Sequence, residues 1–66
     1  MTTLTYAVPG ISCDHCVAAV TAEVSQVSGV ATVTVDLGRK TVTVTGDALV
    51  DEEIRGAIAQ AGYEVA

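Results

Sequence analysis

Cys13 and Cys16 are the only cysteines of the chain, separated by Asp14 and His15. A Cys-x-x-Cys pair whose second member opens a helix can bring two sulfurs to one point, where they hold a metal ion or cycle through a disulfide. The free N–H groups of a first helical turn, together with the positive end of the helix dipole, favour thiolate and a thiolate-bound ion at that place. Ligand number then narrows the ion. Structural zinc takes four ligands, usually from two pairs of Cys or His, and here there is one Cys pair and one histidine, His15. Copper(I) is soft and prefers thiolate, so two or three sulfurs suit it. Mercury(II) fits two thiolates equally well, and the residues leave that alternative open. Two ligands also leave an ion open to attack by a thiolate of another protein, which permits transfer without release of free ion. The single methionine is Met1, which argues against a thioether copper site.

The competing chemistry is thiol–disulfide exchange. A thioredoxin-like protein is longer, carries aromatic residues and proline around its motif, and needs a cis-proline facing the disulfide. This chain has one proline, Pro9, ahead of the motif.

The elements that must position the pair follow from periodicity. Leu4, Tyr6 and Val8 alternate with Thr3, Thr5 and Ala7 as one strand, which Pro9-Gly10 ends. Val17, Val20, Val24 and Val27 recur at three and four, which predicts a helix from Cys16 to Val27 with Gly29 as its stop. Val33, Val35 and Leu37, then Val42 and Val44, alternate with threonine on either side of Gly38-Arg39-Lys40, giving a hairpin. Asp51 reads as an N-cap, Glu52 and Glu53 suit the positive helix end, Ile54 and Ile58 with Ala57 and Ala61 make an apolar stripe, and Gly62 closes a second helix. The tail Tyr63-Glu64-Val65-Ala66 alternates and predicts an edge strand. The resulting order, βαββαβ, is that of an α+β ferredoxin-like sandwich: a four-stranded antiparallel sheet with both helices on one face. Thr3, Thr5, Thr32, Thr34, Thr41, Thr43 and Thr45 are then expected on the other face, where threonine fits a strand and tolerates water.

Composition limits what such a sandwich can do. Sixty-six residues suffice for one domain, expected to span 1–66, and the run from Met1 to just past the last strand reads as a complete free protein, with a domain cut from a longer protein as the alternative. Without Trp or Phe and with only two Tyr, the core must be aliphatic, and an aromatic-lined catalytic pocket is hard to build. The formal charge of −5 opposes attraction to nucleic acid or anionic lipid. The N-terminus lacks the basic start and apolar run of a signal peptide, and no stretch is long and apolar enough to span a membrane, so a cytoplasmic location is expected. In a reducing compartment a close Cys pair points to metal or redox chemistry rather than a structural disulfide. No Ser-His-Asp arrangement, catalytic acid pair or phosphate-binding glycine loop is present, so the chain does not read as an enzyme.

Among the neighbouring residues, His15 could donate to a thiolate, act as an extra ligand or help two molecules share copper; the plainer reading is an exposed loop residue. Asp14 reads as solvated. Following the strand directions, Arg39 and Lys40 on the hairpin and the Gly62-Tyr63 turn should lie at the end of the cysteine loop, where the two bases could orient an acidic partner or serve solubility alone. Asp47, Asp51, Glu52 and Glu53 should lie at the opposite end.

The stretch Gly10-Ile11-Ser12-Cys13-Asp14-His15-Cys16, the helix after it, Ser28-Gly29-Val30, and the ending Ala61-Gly62-Tyr63-Glu64-Val65 resemble the heavy-metal-associated domain, most closely the bacterial CopZ-like copper chaperones. The resemblance covers essentially the whole chain. It implies a copper(I) carrier that docks with the metal-binding domain of a copper-transporting P-type ATPase and exchanges the ion from Cys13 and Cys16, with a copper-bridged homodimer as a further expectation. The family usually has Met where this chain has Ile11, which looks like an apolar plug under the loop. Tyr63 falls where bacterial members carry an aromatic near the metal loop, able to shield the site or simply to pack the start of the last strand.

Overall fold

A computed structural model describes residues 1–66. The elements are β1 (Thr2–Ala7), α1 (Asp14–Ser25), β2 (Val30–Asp36), β3 (Thr41–Gly46) and α2 (Asp51–Gln60). The strands form one antiparallel sheet in the order β1-β3-β2, so β3, with Val42 and Val44 fully buried, is the central strand. Leu4 opposite Val44 and Tyr6 opposite Val42 continue the inward row on β1, and Val33 and Val35 continue it on β2. Val20 and Val24 of α1 and Ile54 and Ile58 of α2 close over this face with no solvent exposure.

The opposite face is the expected threonine face. The register aligns Thr3, Thr45 and Thr32 in one row and Thr5, Thr43 and Thr34 in the next. The Thr3 and Thr45 hydroxyls lie 3.4 Å apart.

The ferredoxin-like arrangement of two helices on an antiparallel sheet is present, but the predicted fourth strand is not: the sheet has three strands. Residues 63–66 run beside β1 for one bond only, from the Ala66 N–H to the Ala7 carbonyl at 2.8 Å. Alternation in four residues records a direction of travel, whereas a strand needs a ladder of paired bonds.

Three local expectations also shift. Helix α1 starts two residues before Cys16, with Cys13 at the N-cap position, and ends at Ser25. Gly29 is therefore not its stop; it sits in the turn into β2 at φ +88°, where a Cβ would strike the Asp47 carbonyl. Asp51 is the first residue of α2 and Val50 holds the cap position. The Asp51 carboxylate is turned elsewhere, accepting from the Tyr6 hydroxyl at 2.7 Å and pairing with Arg55 at 2.9 Å. A cap oxygen must face the N–H groups of its own helix, and this one faces β1 and the following turn instead.

Candidate metal centre

The end of the molecule that carries the cysteines is assembled from four segments. At the close of β1 the Val8 N–H donates to the Lys40 carbonyl at 2.8 Å, which brings the β2–β3 hairpin beside the loop. Lys40 takes a positive φ of 56° there, and the Asp36 carboxylate accepts the Arg39 N–H at 3.1 Å to hold the hairpin tip. The Ile11 N–H then donates to the Val8 carbonyl at 3.1 Å, with Val8 and Ile11 both fully buried. Ile11 is thus the apolar plug beneath the loop. The fourth segment is the end of α2: Gly62 at φ +96° lets its N–H reach the Ala59 carbonyl and the Tyr63 N–H reach the Ile58 carbonyl. These two bonds form a Schellman closure, which swings Tyr63 out of the helix and over the loop. Its ring lies against Gly10.

Inside this frame the Cys13 and Cys16 sulfurs lie 3.1 Å apart, both as free thiols. They are unequal. Cys13 is exposed, and Cys16, in the first turn of α1, retains 9% exposure. The Cys16 thiol is lowered from 9.0 to about 6, first because the Tyr63 hydroxyl directs its dipole at the sulfur, then because the Ser12 backbone and the Cys13 side chain also donate to it; burial opposes the shift. The same contact raises the Tyr63 hydroxyl. The shift favours the thiolate of Cys16, the form that binds metal.

The donor set suits a soft ion of low coordination number. No group of three or more His, Cys, Asp or Glu side chains converges anywhere, so a closed four-ligand zinc site has no basis in one chain. His15 is exposed and does not join the two sulfurs in a three-donor cluster. Metal–sulfur bonds run to about 2.3 Å, so two sulfurs sharing an ion at an open angle stand roughly 4 Å apart or more. The present separation is that of a reduced pair in contact, shorter than a shared ion would set.

Tyr63 was visible in the sequence as a position, but its effect on one cysteine rather than the other was not. A second cluster has no signature in the sequence. Tyr6, Asp51 and Arg55 form a cluster beside the free edge of β1, with the Arg55 guanidinium 5.9 Å from the Tyr6 ring centre. Burial and the Asp51 contact push the Tyr6 hydroxyl up to about 12, so it remains a donor at all ordinary pH. It ties β1 to the start of α2.

Fold and site together define a ferredoxin-like domain with a dithiol at the junction of its first strand and first helix. The chain belongs to the heavy-metal-associated domain family, whose profile matches residues 5–64. It is 41% identical over 64 residues to the copper chaperone CopZ of Bacillus subtilis (strain 168), covering 94% of this chain and 93% of that protein. Among solved structures it superposes on a CopZ metallochaperone with a TM-score of 0.93 at 30% identity, covering 98% of this chain and all of the other. The copper chaperone Atx1 from Synechocystis PCC6803, in a Cu2 form, aligns at 45% identity and a TM-score of 0.82 over 96% of this chain and 98% of that one. A copper-binding domain from HMA7, a P-type ATPase, aligns at 29% identity and a TM-score of 0.90 over all of this chain and 92% of the domain.

Proposed function

We propose that this chain is a cytoplasmic copper(I) chaperone, a carrier and not an enzyme, that binds the ion between Cys13 and Cys16 and passes it by thiolate exchange to the metal-binding domain of a copper-transporting P-type ATPase. The observation that carries the reading is the converged, unequal pair: sulfurs 3.1 Å apart, one exposed and one buried in the first turn of α1 with its thiol lowered by the Tyr63 hydroxyl. Relatives named copper chaperones support copper as the cargo. Likeness to a P-type ATPase copper-binding domain supports a partner built on the same frame. No helix is long and apolar enough to cross a membrane, which suits a carrier that meets its partner in water.

In the exchange, an incoming partner thiolate adds to the two-coordinate ion and gives a complex shared by three sulfurs. One of the original copper–sulfur bonds then breaks and its electron pair stays on the departing sulfur, which takes a proton from water. Copper remains copper(I) throughout, so no oxidant or reductant is needed. Cys13, exposed and outside the helix, is the sulfur at which a partner can enter, and Cys16 is the retained anchor.

Anaerobic titration of the reduced protein with copper(I) against a chelating competitor is expected to show tight binding at one ion per monomer or per dimer. The double variant Cys13→Ser/Cys16→Ser should lose it; tight binding that survives both substitutions would sink the reading. The contact between the sulfurs also favours a second reading, a dithiol that cycles through a disulfide. Turnover of the metal-free protein in a disulfide-reduction assay would select that reading over copper carriage.

A further inference from the structure

Residues that touch no ion decide how far the loop must move when one arrives. Val8 and Ile11 bracket a tight turn, both fully buried and joined by the 3.1 Å bond from the Ile11 N–H to the Val8 carbonyl. The turn is held to the sheet by the Val8 N–H on the Lys40 carbonyl. Pro9 and Gly10 are its two central residues. Gly10 is not in the left-handed region, so the turn has the type I sense, in which proline is favoured at the first central position. The missing proline N–H costs nothing here, because the N–H at that position is not used by the turn.

The other side of the site is equally fixed. Cys16 is buried in the first turn of α1, and the Cys13 carbonyl accepts the Val17 N–H at 3.2 Å. Between the two anchors lie Ser12 and the Cys13 side chain, both exposed, where the sulfurs 3.1 Å apart have room to part.

We propose that Pro9 is a positioning residue of the metal loop, holding the Val8–Ile11 turn in the conformation of the loaded site so that capture of a soft ion displaces only Ser12 and Cys13. This rests on the reading of Cys13 and Cys16 as metal ligands. Proline fixes φ near about −65° and removes conformations that an unloaded loop would otherwise sample. Freedom absent before binding is not lost on binding, which is how preorganisation raises affinity. Ile11 acts in the same direction, since a β-branched side chain sealed in the core has few rotamers.

The test measures copper(I) affinity of the reduced full chain by anaerobic chelator competition, together with backbone amide order parameters of the metal-free protein. Pro9→Ala is expected to weaken binding about two- to fivefold, which is ~0.4–1 kcal/mol, the usual scale for returning one residue's backbone freedom. Order parameters of residues 10 and 11 should fall from about 0.85 toward 0.6. Spectra of the two loaded proteins should coincide in the rest of the chain.

Because Pro9→Ala also changes folding stability, Pro9→Ala/Ala48→Gly is measured beside it. Ala48 holds a φ of +54° in the loop between β3 and α2, at the far end of the molecule, where glycine relieves strain. The double variant should regain thermal stability and keep the weakened affinity. Affinity that recovers along with stability overturns the proposal, as does a single variant with wild-type affinity and an equally ordered loop. Failure of the wild-type protein to bind copper(I) removes the metal reading itself, an outcome distinct from either.

Discussion

Tyr63 lies 47 residues after Cys16 in sequence, yet its hydroxyl is the largest influence on that thiol. The consequence is a pH dependence with a definite sign. In the fold the Cys16 thiol is depressed to about 6 against an ordinary 9.0, so between these values the unfolded chain binds more protons. The stability this thiolate contributes is fully present above the unfolded value, declines as pH falls, and is gone below about 6. On the proposed reading copper(I) competes with the same proton, so affinity should weaken as pH falls through this range. Tyr63→Phe removes the hydroxyl and keeps the ring on Gly10. Its expected result is an upward shift of the thiolate titration, followed by ultraviolet absorbance of the metal-free protein, and an earlier loss of copper affinity as pH falls. An unmoved titration midpoint would show that the ring only packs. Cys13, His15 and Tyr63 could all be named from the sequence as neighbours of a dithiol. The inequality of the two sulfurs could not, because it arises from a turn at the end of α2 meeting the start of α1.

At the level of elements, local pattern specifies local structure. Thr-Val alternation in β2 and β3 marks both the strands and the face each side chain takes, since the period is two and the inward row is uniformly apolar. The valines of α1 likewise mark its buried stripe. Pattern and structure part where a long-range partner decides. Asp51 has the identity of a cap residue, but Tyr6, 45 residues away, takes its carboxylate. Residues 63–66 have the pattern of a strand and only one bond to β1. Gly62 was identified correctly as the end of α2, and its surroundings give a clean prediction. A Cβ at Gly62 would meet nothing within 4 Å, so the cost of Gly62→Ala comes from its φ of +96° alone. Left-handed backbone costs a residue with a Cβ about 1–2 kcal/mol, and each kcal/mol moves the melting temperature of a domain this size by roughly 4–8 °C. Thermal unfolding of the metal-free protein measures it. Because the same bonds swing Tyr63 over the loop, the Cys16 titration should rise in this variant as well; a large loss of stability with that titration unmoved would separate the helix end from the site.

Across the whole molecule, charge is distributed along the axis on which the strands run. Arg39 and Lys40, two of three basic residues in a chain of net charge −5, sit on the hairpin that the Val8–Lys40 bond holds beside the cysteine loop. Asp47, beyond the end of β3, and Asp51, Glu52 and Glu53, in the first turn of α2, lie at the far end, where Asp47 meets the N-terminal ammonium at 3.6 Å. Neither basic side chain is committed to an ion pair, and the contact that shapes the hairpin tip uses the Arg39 backbone N–H, which any side chain would keep. The hairpin is thus suited to meet acidic groups of the proposed partner domain while the thiols exchange copper. Charges at the rim of an interface act mainly on the rate of encounter, and added salt screens them over a Debye length of about 10 Å at 0.1 M. Arg39→Glu/Lys40→Glu should therefore slow copper transfer to the partner by roughly tenfold at low ionic strength, a rate difference that shrinks as salt is raised. Copper(I) affinity of the isolated chain should stay at its wild-type value, because neither side chain is among the proposed ligands and the bond to Val8 uses the Lys40 backbone, and stability should change by no more than about 0.5 kcal/mol. Stopped-flow transfer measured across a salt series decides the matter: equal rates for variant and wild type at low salt would leave these two charges to solubility alone and move the docking surface elsewhere on the cysteine end.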